Sequence, residues 1–231
     1  MDAVKFRVNG NWAQFRKAET NNNPLSHDFM TKTAFVGLIG AVIGINREDM
    51  REHFPLLCDG LLFGLQVNNA VVKQSWGFTL RSVSNSWDKS PKQMEFIKNP
   101  DYTIICGLKD NACAELFEKF KSHCQQGKAC YSPVLGLHNC PADISFIETG
   151  NLAEKEGVFE TLGFVTDNYK PMMDELTTFR IGFDKIPTYQ NSDFWNIPER
   201  YVSVVYPSNQ SRIKVQGAYY EFNDQTRWCL I

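Results

Sequence analysis

The sequence predicts an α+β protein: a ferredoxin-like order, β-α-β-(insert)-β-α-β, over residues 1–148, followed by a smaller β-rich part. Three observations carry this. Four short runs, at 4–8, 61–67, 102–107 and 142–147, read as strands. Two longer segments, one opening at Thr31 and one over 111–126, place apolar residues at helical spacing. Between the second and third strands stands an insert, 68–98, of different character.

In order, Val4-Lys5-Phe6-Arg7-Val8 alternates apolar and basic residues, the period of a half-buried strand. Residues 9–28 are polar and contain Asn21-Asn22-Asn23-Pro24, a loop composition, yet carry Trp12, Phe15, Arg16 and Lys17. Thr31-Lys32-Thr33 then precedes an apolar helix, with threonine as its N-cap. Gly37, Gly40 and Gly44 fall on one stripe of that helix. Each glycine costs about 1 kcal/mol against alanine in a helix, so the stripe predicts a close backbone approach. Phe35, Leu38, Ile39 and Val42 would enter the core.

In the insert, residues 71–81 read as a strand and 82–91 as a loop. Lys73, Arg81, Lys89, Lys92 and Lys98 outnumber Asp88 and Glu95 there, with Trp76, Phe78, Trp87 and Phe96 interleaved. After the strand at 102–107, Cys113, Leu116, Phe117 and Phe120 mark a helix that Gly127 would stop. Beyond Gly150 come strand-like runs at 159–165, 178–183, 201–205 and 217–220, so the expected division is 1–150 and 151–231.

A chain of 231 residues, 43% hydrophobic and 22% charged, has the composition of one or two globular domains. Its longest apolar stretch, 34–45, is 12 residues, short of the roughly 18 that suggest a membrane span. The first ten residues lack the shape of a signal peptide, so a cytoplasmic protein is expected. The seven cysteines, an odd number without a C-x-x-C pair, read as reduced thiols. Net charge is −2, but residues 1–100 hold 12 basic against 9 acidic residues and residues 101–231 hold 12 against 17. Local fields and not totals attract phosphates, so charge alone leaves the partner open.

Gly37 and Gly40 lack the lysine and serine of a phosphate loop and fall inside a helix. His123-Cys124, Cys130 and His138-x-Cys140 match no compact zinc-ligand pair, and no metal or cofactor is expected. Histidines 27, 53, 123 and 138 are far apart, with no nucleophile signature. Metal-free RNA cleavage needs only a base, an acid and a cation, so Tyr131, His138 and a lysine keep that reading open. Basic residues mixed with aromatics, at 11–17 and 73–92, are the composition of single-stranded RNA binding. A twisted edge hairpin would show the same mixture for structural reasons.

Three strings together resemble one family: residues 11–17, NWAQFRK; residues 27–44, HDFMTKTAFVGLIGAVIG; and residues 131–137, YSPVLGL. They are similar to the CRISPR-associated Cas5 family, most like its type I-B branch. Arg180, ahead of the run at 201–205, looks similar as well. The resemblance implies a repeat-associated, RRM-like RNA-binding fold with a β-hairpin thumb at 68–98. It implies one copy in a Cascade complex, capping the 5′ handle of the crRNA beside the large subunit and the nearest backbone subunit, with target DNA near the flanking motif as a further contact. By the same resemblance Asn11, Trp12, Phe15, Arg16 and Lys17 would lie beside the handle. Thr31, Lys32 and Thr33 would bring a helix N-terminus to it, and Lys73, Trp76, Arg81, Lys89 and Lys92 would act from the thumb. Asn11 stands where the family often has glycine or proline. In the type I-C branch the family member itself cuts precursor RNA, whereas in type I-B a separate endonuclease usually does. Binding without cleavage is therefore expected, with a metal-independent endoribonuclease and a pure assembly scaffold as alternatives.

Overall fold

The structure, a computed structural model, describes residues 1–81, 84, 87, 89–172, 181–193, 197–207, 211–223 and 226–231. It is mixed α+β and mostly strands. The first half runs β1 (Asp2–Asn9), β2 (Trp12–Ala13), α1 (Lys32–Ile43), α2 (Met50–Gly60), β3 (Leu61–Val67), β4 (Lys73–Arg81), β5 (Lys89–Lys98), β6 (Asp101–Leu108) and α3 (Ala114–Gln126). The second runs β7 (Asp143–Thr161), β8 (Val165–Thr166), β9 (Lys170–Pro171), β10 (Ile181–Tyr189), β11 (Arg200–Pro207), β12 (Ile213–Phe222) and β13 (Thr226–Trp228).

The main sheet has the order β13-β12-β7-β1-β6-β3, with β9 also on β12, and every pairing is antiparallel. Period-two alternation sorts its side chains between two faces. Val4, Phe6, Val8, Phe63 and Ile104 join the helices in the main core, while Ala3, Leu62, Ile105, Leu152, Phe222 and Trp228 form a smaller cluster. Phe6 lies 6.1 Å from Phe35 of α1 and 5.4 Å from Phe120 of α3, and Phe35 stacks on Phe63 at 5.0 Å. Each fully buried phenylalanine contributes about 1.5–3 kcal/mol by leaving water.

Strand β7 is 19 residues long and serves two partners. Its first half pairs with β1 and its second half, from Leu152, with β12. Residue 150, where the sequence places a division, lies inside this strand. The run at 159–165 covers the end of β7 and the start of β8. The runs at 201–205 and 217–220 lie within β11 and β12. Arg180 and the start of the 178–183 run fall outside the described residues, and the described strand there is β10. A second sheet has the order β10-β11-β8, and a third, β2-β5-β4, holds the insert.

Helix α1 begins as expected: the Thr31 hydroxyl accepts the Ala34 N–H at 3.2 Å. Its glycines divide by role. A side chain at Gly40 would meet Met50 of α2, and Gly44 is the left-handed C-cap, φ +85, against Cys130. Gly37 faces open space. Close approach therefore holds at two of the three positions, and at both the neighbour is a side chain and not the backbone expected. Helix α2 is absent from the sequence reading, because Pro55 and the charges of Arg51, Glu52 and Asp59 mask its buried residues Met50, Phe54, Leu57 and Cys58. All seven cysteines are free thiols, six of them buried, and burial pushes Cys58 up to about 11. Among the described residues no helix is long and apolar enough to cross a membrane.

Candidate nucleic-acid interface

The polar stretch after β1 is held at both ends. Gly10 fits where a side chain would collide with Leu135 and the Pro141 carbonyl. Gln14 N–H donates to the Leu135 carbonyl at 3.0 Å, and Gly136, at φ +93, is bare because a Cβ there would overlap the Gln14 carbonyl. The 131–137 element is thus pinned to the 11–17 turn. Further on, His27 N–H donates to the Phe15 carbonyl at 2.8 Å and Phe15 N–H to Ser26 Oγ at 3.0 Å, closing the loop on itself.

A buried charge network then ties this loop to the rest of the chain. Asp184 of β10 accepts from His27 Nδ1 at 3.2 Å, from Asp28 N–H at 2.8 Å and from Lys185 N–H at 2.8 Å, and pairs with Lys17 Nζ at 3.3 Å. Burial alone would raise its pKa. The donated hydrogen bonds and the positive charge outweigh burial and hold the carboxyl well below the usual range. Asp28 accepts from Tyr206 OH at 2.7 Å and from Lys73 Nζ at 2.8 Å. Lys73 also reaches Glu95 at 3.1 Å and the Ser26 carbonyl at 2.6 Å. Burial would lower the Lys73 ammonium, but its two carboxylates prevail and raise it.

The expected site residues separate accordingly. Lys17 and Lys73 are spent on these internal pairs. Lys32 is 6% exposed, donates to the Ile231 carbonyl at 2.9 Å, and is driven down to about 8 by desolvation. Phe15 is core, 6.4 Å from Tyr102. Trp12 and Trp76 pack edge to face at 4.4 Å and join Phe96 at 6.4 and 5.2 Å, fastening β2 to the hairpin. Thr31 is the cap, its hydroxyl 3.1 Å from that of Thr33.

Facing outward are Asn11, whose carbonyl accepts the Asn99 N–H at 2.8 Å, and Arg16, whose guanidinium bonds Thr20 and Asn21 of its own turn. In the hairpin Arg81 and Lys89 are exposed directly opposite one another. Such a like-charge pair is unfavourable in a sheet by itself. Trp87 is 85% exposed nearby, and Lys92 reaches Asn22 at 2.9 Å. Asp88 lies outside the described residues.

These elements surround a cleft of 530 Å³. Gln14 and Arg16 come from the turn, Thr33 and Gly37 from α1, Val134 and Leu137 from the 131–137 element, Met94 from the hairpin, and Tyr201 from β11. The first turn of α1 carries no acidic residue, so its N-terminal partial positive charge meets no carboxylate from within the helix. Gln14 is a member that sequence reasoning misses: a lone glutamine in a polar loop has no pattern to mark it.

These features define an α+β protein with a main antiparallel sheet and two smaller ones, and with a basic and aromatic hairpin that adds Met94 to a cleft. A family profile described as CRISPR-associated protein (Cas_Cas5) matches residues 3–170. The chain belongs to this CRISPR-associated Cas5 family. No curated protein sequence matches it. Among solved structures, a CRISPR protein from Archaeoglobus fulgidus is similar with TM-score 0.62 at 15% identity, covering 99% of this chain and 98% of that one. A chain of a CRISPR RNA-guided surveillance complex is similar with TM-score 0.50 at 10% identity, covering 93% and 91%. A chain of the type III-B Cmr-beta complex bound to cognate target RNA and AMPPnP gives TM-score 0.50 at 9% identity, covering 92% and 86%.

Proposed function

We propose that this chain is the subunit of a type I, I-B-like Cascade surveillance complex that binds and caps the 5′ handle of the crRNA without cutting it. One observation carries the reading: the three family-like strings, distant in sequence, meet around a single cleft, to which the hairpin adds Met94. The order β7-β1-β6-β3, crossed by α1 and α3, supports the ferredoxin-like assignment that this role needs. Outward Arg16, Arg81 and Lys89 supply phosphate contacts, the α1 N-terminus an anion site, and Trp87 a ring for stacking. The large subunit and the nearest backbone subunit are the neighbours this role implies.

The test is a gel shift of recombinant protein with repeat RNA from its own CRISPR array, against scrambled RNA of equal length, across salt. Handle RNA should bind more tightly, with affinity falling steeply as salt rises. Equal affinity for both RNAs removes the handle claim. Incubation of the protein alone with repeat RNA in EDTA checks the second half: RNA should stay whole, and a defined cut at the handle boundary overturns the non-catalytic reading.

A further inference from the structure

We infer that the outer face of the β10-β11 pair is a second RNA platform, on which Phe183 stacks against a base of the strand leaving the cleft and Lys185 meets its phosphate. The inference rests on the RNA-binding reading above and extends the path of that RNA. Register fixes the face. Phe183 stands opposite Val205, Lys185 opposite Ser203 and Pro187 opposite Tyr201, and such cross-strand pairs point the same way. The alternate residues Asp184, Ile186, Val204 and Tyr206 are buried. Phe183 is 67% exposed within a regular strand, and Lys185 and Ser203 are exposed beside it.

The strip continues from the cleft, because Pro187 and Tyr201 line both. From Tyr201 to Val205, the residue opposite Phe183, the strand runs about 13 Å at roughly 3.3 Å per residue. The Lys185 ammonium lies 5.6 Å over the Tyr201 ring and pairs with no carboxylate among the described residues. Residues 101–231 hold 17 acidic residues against 12 basic ones, yet this strip carries a cation and no acid. Asp184 is on the buried side. Glu19, near Tyr201, and Asp167, whose N–H donates to the Ser203 carbonyl at 3.2 Å, belong to neighbouring segments. Local charge and not the total draws phosphates. Rings exposed on a sheet, with cations beside them, commonly hold single-stranded RNA. A protein partner fits this strip less well, because the centres of protein interfaces are depleted of lysine.

The experiment measures binding of repeat RNA by the full chain carrying Phe183→Ala, Phe183→Leu or Phe183→Tyr. Tyrosine keeps a ring for stacking, whereas leucine keeps only apolar surface. Alanine and leucine should each weaken binding on the order of 10-fold and tyrosine by less than about 2-fold, with the melting midpoint unmoved in all three. Lys185→Ala should flatten the slope of log affinity on log salt by about 0.7. Wild-type affinity in Phe183→Ala overturns the inference, and more so if that variant loses a neighbouring subunit in place of RNA. Full affinity in Phe183→Leu overturns stacking, and a fall in midpoint makes the ring structural and overturns it too. In each of these cases handle binding by wild type still stands. Failure of wild type to bind any repeat RNA removes both readings.

Discussion

Replacing Asp184 with alanine removes the acceptor shared by His27, the Asp28 and Lys185 main-chain N–H groups and the Lys17 ammonium. All four donors are then left facing a site from which water is largely excluded. Breaking a buried charged pair from one side costs about 3–5 kcal/mol. For a chain of this size each kcal/mol moves the midpoint by about 2–4 °C, so the expected drop is roughly 10 °C. Asp184→Asn should fall less, because its carbonyl oxygen still accepts. The carboxyl is held below its ordinary range in the folded state, so its contribution is full above the unfolded value near ~4 and disappears as pH falls below it. Thermal melts of wild type and Asp184→Ala by circular dichroism, stepped from pH 7 to pH 2, read this directly. The gap in midpoint should stay wide down to about pH 4 and narrow below it. A gap under about 2 °C at pH 7, or one that stays constant with pH, refutes the idea that this network holds the loop.

Lys17→Ala should lower the midpoint as well as weaken RNA binding, whereas Arg16→Ala should weaken binding with the midpoint unmoved; calorimetry beside a gel shift separates the two. Alanine at both Arg81 and Lys89 should flatten the salt dependence of RNA binding by about 0.7 for each phosphate no longer neutralised, measured as the slope of log affinity on log salt. Lys32→Met should stabilise the protein at pH 7 relative to wild type, since a buried ammonium with its pKa near 8 favours losing its proton. Above pH 8 the unfolded chain binds more protons at this residue than the folded one, so the wild type should gain on the variant between pH 8 and 10 in paired melts. Trp12→Ala should cost about 2–3 kcal/mol by removing the ring that packs on Trp76 and Phe96, and proteolysis should then cut the hairpin faster.

How much of the molecule is legible in the sequence depends on range. Helix α1 declares itself through Thr31 and an apolar run, both local signals. The first hairpin strand, β4, shows in its pattern, but β5 begins at Lys89, inside the stretch that reads as loop. Helix α2 does not show, since Pro55 and four ionisable neighbours dilute a four-residue apolar stripe. Strand β7 is hidden because Gly150 and the polar run after it look like a connection. At the site the limit is different. A sequence reports that Lys17, Lys32 and Lys73 are cations but not that Asp184, the Ile231 carbonyl and Asp28 are waiting for them. The residues that remain outward, Arg16, Arg81 and Lys89, stand out in the sequence on the same grounds as the three that turn inward.

The length of β7 has a consequence for how the chain tolerates being rebuilt. One strand carries the hydrogen-bond ladder of β1 at one end and of β12 at the other. A graft that exchanges residues 151–231 for those of a relative therefore joins two half-strands in the middle of a sheet, and a one-residue error in the splice would turn every downstream side chain to the opposite face. Chimeras should work only when the crossover lies outside residues 143–161 or preserves their count. The same continuity carries the sheet's hydrogen bonding through residue 150 without a break, so β12 and β1 are held by one strand.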